Sequence, residues 1–135
     1  MAAGEFELIA RYFADVGSPR RDVDLGIGDD ATLLDTGGAS RLITAWASSG
    51  AESTRDAEAL GERCTEAAID ELKAQGASPA WLTLALTMER ADAAWLAALT
   101  AGLQRACDRH HVRLVGGDTT AGPTAITVFA TGIVQ

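Results

Sequence analysis

Two short turns carry the residues best suited to chemistry, Gly26-Ile27-Gly28-Asp29-Asp30 and Gly116-Gly117-Asp118-Thr119-Thr120. Each sets carboxylates beside glycines. Glycine lets the backbone approach a ligand or take a positive φ, and it leaves N–H groups facing an anion. Adjacent ionised carboxylates repel one another, and a divalent cation relieves that repulsion. Mg²⁺ chooses carboxylate oxygens and completes its octahedron with water or phosphate oxygens. These acids would therefore suit a Mg²⁺-nucleotide site. Asp and Gly are also ordinary turn formers, and the spacing of either motif alone leaves that reading open. Asp118-Thr119-Thr120 could equally cap a turn through its hydroxyls.

Other reactive residue types point less far. His110 and His111 follow Arg109 at the exit of a predicted helix, where positive charge suits the dipole, and they have no partner at a recognised metal spacing. Cys64 and Cys107 fall among alanines and leucines on helix faces and read as small core fillers. Trp46, Trp81 and Trp95 read as core or interface anchors. The Arg20-Arg21 pair reads as solvated, with a phosphate contact as the alternative. Lys73 is the single lysine, and no G-x-x-x-x-G-K-[ST] surrounds it, so a P-loop and a V-A-I-K kinase lysine are excluded. Nucleotide chemistry here has to run through carboxylates and metal.

The chain's charge agrees. Nineteen acids against 11 basic residues give a net charge of -8 over 135 residues. That balance repels phosphate backbones and anionic membranes, so neither nucleic acid nor a membrane is an expected partner. No apolar run approaches the roughly 20 residues of a membrane span. Met1-Ala2-Ala3-Gly4-Glu5-Phe6 lacks the basic start of a signal peptide, and two cysteines make no disulfide framework. The cytoplasm is the expected compartment. Length and a 47% hydrophobic content fit one domain over residues 1–135, with no internal repeat or linker.

The elements that must position the turns follow from periodicity. Phe6, Ile9, Phe13 and Val16 predict a short amphipathic helix over Glu5 to Val16, ended by Gly17-Ser18-Pro19. Short strands are expected at Val23 to Leu25, Ala31 to Leu34 and Arg41 to Ala47, with a loop through Ser48 to Ser53. A long helix runs from Thr54 or Asp56 to Gln75, with Leu60, Cys64, Ala68 and Leu72 as its stripe and Gly76 beyond its end. Leu82, Leu84, Leu86 and Met88 alternate with smaller residues as a strand. A further helix starts near Asp92 and carries Leu96, Leu99, Leu103 and Ala106. Arg113 to Val115 should be a short strand ending at Gly116-Gly117-Asp118, and Ala125 to Val134 the last. This order predicts an α+β fold: a mixed or antiparallel sheet of about four strands with helices on one face.

Four segments in this order are more specific than either turn. They are Gly4-Glu5-Phe6-Glu7-Leu8-Ile9-Ala10-Arg11-Tyr12-Phe13, Leu25-Gly26-Ile27-Gly28-Asp29-Asp30-Ala31, Trp81-Leu82-Thr83-Leu84-Ala85-Leu86-Thr87 and Val115-Gly116-Gly117-Asp118-Thr119-Thr120-Ala121-Gly122-Pro123. Together they resemble the N-terminal half of the bacterial thiamine-monophosphate kinases, within the aminoimidazole-ribonucleotide-synthetase-like superfamily. The resemblance spans essentially the whole chain. It implies transfer of the γ-phosphoryl of ATP to thiamine monophosphate, giving thiamine diphosphate. It also implies a homodimer whose N-terminal domains pair their sheets, and Mg²⁺ held by aspartates against the ATP phosphates. Carried over by motif, Asp29, Asp30, Glu71 and Asp118 are the implied metal ligands. Gly116, Gly117, Asp118 and Thr119 are the implied nucleotide-binding residues, and Thr44 matches a hydroxyl residue on the strand entering the site.

The chain departs from the pattern at several positions. Where the family has a hydroxyl residue and then a metal-binding aspartate, this register gives Ala45 and Trp46, and the loop that follows lacks a His-Phe pair. On the long helix, Ala68 stands in place of an Asn, and Glu71 in place of a shorter Asp. The family's C-terminal α/β half has no counterpart in these residues, so a separate partner supplying that half is one expectation. The chain alone is expected to be inactive in phosphoryl transfer, because catalysis in such a site is mainly electrostatic. The alternative is a non-catalytic dimerisation, scaffold or nucleotide-binding domain.

Overall fold

The run Leu82, Leu84, Leu86, Met88 becomes the middle of the main sheet. In the computed structural model of the chain, which describes residues 7, 9–28, 31–39, 41–50, 56–90 and 92–134, it belongs to β4 (Ala77–Met88). β4 pairs antiparallel with β6 (Ala125–Val134) and parallel with β5 (Arg113–Ala121), and β6 pairs antiparallel with β3 (Leu42–Ser49). The order is β3-β6-β4-β5. β4 begins at Ala77, ahead of the expected Leu82, and Pro79 is accommodated where the register with β6 shifts, between Pro79 and Trp81. A bulge tolerates the missing N–H.

Two further expectations change. β5 does not end at Val115: Gly116, Gly117 and Asp118 continue it, opposite Thr83, Leu84 and Ala85. Ser48 and Ser49 belong to β3 rather than to the loop, and the Ser48 hydroxyl shares a 2.8 Å hydrogen bond with Thr127. A chain without apolar periodicity can still be a strand when its neighbour supplies the ladder. Residues 51–55 lie outside the described residues.

Both long helices form where their caps predict. α1 (Ala57–Ala74) opens at Asp56, whose carboxylate accepts from Ala59 N, and gives way at Gly76 with φ 84°. α2 (Ala93–His110) opens at Asp92, which accepts from Ala94 N and Trp95 N, and closes at His111 in the left-handed region. Leu60, Ile69 and Leu72 of α1 and Leu96, Leu99 and Leu103 of α2 pack on one face of the sheet, over Leu82, Leu84, Leu86, Ile126 and Val128. Helices on one face of a mixed four-stranded sheet is the α+β architecture read from the sequence.

The opposite face is bare at the β3 edge and covered near the start of β4. There the small hairpin of β1 (Val23–Leu25) and β2 (Leu33–Leu34) covers a second cluster in which Trp81, Ala80 and Val115 meet Val23, Leu34 and Ile133. The expected N-terminal helix is realised as a single π-type turn, Ile9–Phe13, with Phe13 and Val16 buried. Its beginning lies outside the described residues. Gly17 then bridges to Arg113 at φ 104°, and a Cβ there would stand 2.7 Å from Arg113 Cα, so only glycine fits.

Candidate functional site

The β1–β2 hairpin brings the segment that follows the first acidic turn to the strand carrying the second. Thr32, two residues beyond Asp30, donates its hydroxyl to Val115 O at 2.7 Å. A Cβ on Gly116 would lie 2.8 Å from the same Thr32 oxygen. Thus the segment leaving Gly26-Ile27-Gly28-Asp29-Asp30 is fastened beside the strand that carries Gly116-Gly117-Asp118. Asp29 and Asp30 themselves lie outside the described residues. The flanking anchors are fixed by the pairing of β1 with β2, in which Leu25 faces Leu33.

Strand parity then sets the face. Leu84 and Leu86 point to the helices and Ala85 between them is exposed, so Ala85 and its partner Asp118 occupy the helix-free face. Thr83 and its partner Gly116, which meets Thr32, share that face. Asp118 is exposed, and among the described residues no hydrogen-bond partner holds its carboxylate. An unengaged carboxylate on open sheet is a donor of the hard-oxygen kind that Mg²⁺ takes. Among the described residues no three acids, histidines or cysteines come together as a metal-holding group, and Asp118 stands without another described acid beside it in such a group. The glycine beside it has an internal reason. Gly117 runs at φ 149°, and a Cβ there would stand 2.0 Å from Leu84 O, so its close approach is to β4 of the same chain.

Glu71 is not brought to this place. It is exposed in the last turns of α1, where Gln75 donates to its carboxylate at 3.2 Å. α1 covers the helix side of the sheet and ends just before Ala77, whereas Asp118 lies opposite Ala85 on the other side. Eight residues of extended strand separate those positions along β4, which puts the two acids on the order of 20 Å apart within one chain. Thr44 shares the helix-free face but lies on β3, three strands from β5, with its hydroxyl bonded to Thr131 at 2.8 Å. Trp46, also on β3, is 65% exposed and paired with Phe129, while Ala45 is buried toward the helices. The linear motif could not disclose this separation, because faces and edges are set by the sheet's pairing.

Beside Gly26 and Ile27 opens a cleft of about 470 Å³ whose wall includes Pro19, Arg20 and Arg113, within the range of small-ligand sites. Its two guanidinium groups are engaged internally. Arg20 grips Asp22 through Nε and Nη2 at 2.8–3.2 Å, donates to His111 O, and lies 5.9 Å from the Trp81 ring. Trp81 donates its indole N–H to the same Asp22 at 3.1 Å. The hydrogen bonds from Arg20, helped by that from Trp81, hold the Asp22 carboxyl below its ordinary value against the opposing pull of burial. Arg20 is therefore a half-buried, internally engaged cation rather than a free surface one. Arg113 donates to the carbonyls of Ala14 and Gly17. Thr32 and Asp22 are the connecting residues that sequence reasoning missed, since nothing marks a lone threonine or aspartate until its partner strand is known.

The thiols and His111 settle as structural. Burial raises both thiols, that of Cys107 to about 12. Neither is a nucleophile near neutral pH. His111 closes α2, as the helix-exit reading expects, and His110 bridges Glu66 and Lys73. No described helix is long and apolar enough to cross a membrane.

An α+β domain with its β1–β2 hairpin fastened beside Gly116-Gly117-Asp118 on the helix-free side of its sheet is therefore what this sequence builds. Residues 28–134 match the family described as AIR synthase related protein, N-terminal domain, and the chain belongs to that family. Thiamine-monophosphate kinase of Escherichia coli (strain K12) is 42% identical over 138 residues, across 99% of this chain and 42% of the relative. The crystal structure of thiamine-monophosphate kinase from Stenotrophomonas maltophilia K279a aligns with a TM-score of 0.77 at 36% identity, covering 85% of this chain and 38% of that one. Hydrogenase maturation protein HypE in complex with ATP shares the fold, with a TM-score of 0.71 at 20% identity over 97% of this chain and 40% of that one. The chain spans about 42% of the length of the curated relatives it matches. The resemblance carried by the four segments is thus the one these comparisons return.

Proposed function

We propose that this domain binds Mg-ATP through Asp29, Asp30 and Asp118, as the nucleotide half of a thiamine-monophosphate-kinase-like phosphotransferase, and that the 135 residues by themselves do not turn over. The observation that carries the reading is the Thr32 hydroxyl on Val115 O, which tethers the segment after Asp30 to a residue three positions before Asp118. Gly116, Gly117 and Thr119 flank the phosphate side in this reading, and the cleft beside Gly26 gives a nucleoside room. A bound cation would supply charge neutralisation to the phosphates. The chain's own carboxylates would hold and orient it, so that the γ-phosphoryl presents in line to an acceptor. Thiamine monophosphate as acceptor follows from the similarity to the kinases named above.

Inactivity of the 135 residues rests on what the positions of the family pattern have become. Ala45 has no donor atom and is buried, Trp46 is an exposed ring, and Glu71 stands on the helix side. We place the protein in the cytoplasm as a homodimer, with the bare sheet face as the contact. Trp46 at 65% and Leu42 at 45% exposure are apolar surface that a second copy would cover. A non-catalytic dimerisation domain is the second reading, favoured by that same Trp46.

Thermal melting with millimolar Mg-ATP, and with ATP plus chelator, tests the binding claim. At ten times Kd, a ligand adds about 1.4 kcal/mol, or a few degrees in Tm for a domain of this size. The rise should need Mg²⁺ and disappear in Asp118→Asn. A flat response would leave the dimerisation reading in its place. Formation of thiamine diphosphate by the chain alone, abolished in Asp30→Asn, would overturn the claim of inactivity.

A further inference from the structure

On the helix side of the sheet, the C-terminal halves of α1 and α2 hold a carboxylate, an imidazole and an amine in one hydrogen-bonded line. Glu66 Oε2 lies 2.8 Å from His110 Nε2, and His110 Nδ1 lies 2.9 Å from Lys73 Nζ. An ammonium has only donors, so Nδ1 must be the acceptor and Nε2 must carry the proton donated to Glu66. The order Glu-His-amine is that of a nucleophile with an adjacent base and a third group orienting the base. The imidazole is largely enclosed, its side chain 11% exposed, while Lys73 is exposed. Arg109 also binds Glu66, the second charged group at this end of α2. Lys73 is the chain's single lysine, so its amine competes only with the α-amine.

We propose that Lys73 is an acylation site for small acyl phosphates, with His110 as its base and Glu66 as the residue that positions His110. Nδ1 takes the ammonium proton it already faces, and the freed lone pair on Nζ attacks the acyl carbon. The C–O bond to phosphate breaks, its electron pair leaving on the phosphate. The second N–H proton passes to water as the amide forms, and His110 returns its own proton to solvent. Charge at Lys73 is lost in the product, and with it the hydrogen bond from the ammonium to Nδ1.

Acetyl phosphate is the probe, with site-resolved mass spectrometry following Lys73 and the α-amine of the 135-residue chain. General-base assistance is typically worth about 100-fold to 10,000-fold in enzyme sites and less at a surface, so a loss of at least about five-fold at Lys73 is expected in His110→Gln. The α-amine rate should stay unchanged and serve as the internal reference. Glu66→Gln should give a smaller loss, because it leaves the base in place and removes only the group that orients it. Equal Lys73 rates in wild type and His110→Gln would overturn the proposal. If that variant does not fold, the ratio of Lys73 to α-amine labelling in the native wild type is compared with the ratio in urea. Folding should raise it at least about five-fold, and an unchanged or lower ratio would overturn the proposal equally.

Discussion

Gly61 of α1 and Gly102 of α2 let the two helices touch backbone to backbone. A Cβ on Gly102 would lie 2.0 Å from Glu58 O, and one on Gly61 would lie 2.4 Å from Leu99 O. No flexible side chain is available to yield at either point, because the obstructing atoms are main-chain carbonyls. The two helices would have to separate, exposing the Leu60, Leu99 and Leu103 layer that seals the sheet.

Gly102→Ala is therefore expected to cost more than about 3 kcal/mol, the overpacking range and beyond, or to prevent folding. Gly76→Ala is the contrast. It has a positive φ of 84° but nothing within 4 Å of the added Cβ, so only backbone strain of about 1 kcal/mol is expected. Urea unfolding of both variants measures the difference.

The node of Arg20, Asp22 and Trp81 gives stability an acid dependence. Asp22's folded carboxyl is held below its ordinary value, first by the hydrogen bonds from Arg20 and then, against the opposing pull of burial, by that from Trp81. A depressed carboxylate contributes stability that is complete above the unfolded pKa and is lost as pH falls through the folded one. The wild type should therefore lose this contribution progressively below about pH 4, and Asp22→Asn should unfold with a shallower acid limb. Asp22→Ala at neutral pH strands the indole N–H of Trp81, which is 1% exposed, and should cost about 1–3 kcal/mol. Unfolding curves between pH 3 and 7, with Trp fluorescence as the signal, check both statements.

The helices and the central strand were legible because local signals agreed with the tertiary structure. Asp56 and Asp92 cap helices whose apolar stripes face the sheet, and Leu82 to Met88 alternate on a strand with one face covered. The segments that misled have their state decided by a neighbour. Gly116-Gly117-Asp118 looks like a turn in isolation, yet β4 supplies the ladder that extends it. Ser48 and Ser49 have no hydrophobic pattern, yet β6 pairs with both. The acids behave the same way. Their residue types suggested a cation, but only the Thr32 tether and the parity of β5 separate Asp118 from Glu71, which a linear motif ranks together.

Cys64 and Cys107 should be silent to thiol reagents in the native protein. Cys107 is wholly buried in the α1–α2 layer, and burial pushes its thiol to about 12. At pH 8 its thiolate is a fraction of about one in ten thousand, before access is considered. Both thiols should react with a chromogenic disulfide only on global unfolding, at a rate that follows the unfolding equilibrium. Rapid labelling of one thiol under native conditions would contradict the packing described for α1 and α2.

Trp46 offers the most direct test of the assembly. Its ring stands on the bare face of an edge strand in the same row as Phe129 and Thr83, with Leu42 four residues along and exposed on the same side. An exposed tryptophan with aromatic and aliphatic neighbours on a flat sheet is the kind of centre around which interface energy concentrates. A dimer formed on this face should be weakened by at least about ten-fold in Kd in Trp46→Asp, since charged residues are depleted from interface cores. Thr44→Asp, whose hydroxyl bonds to Thr131 on the same face, should act in the same direction. Asp24→Asn, exposed on β1, should have no effect. Static light scattering across a concentration series reads all three. A wild type that remains monomeric at every concentration would rule out the bare sheet face as a contact between copies.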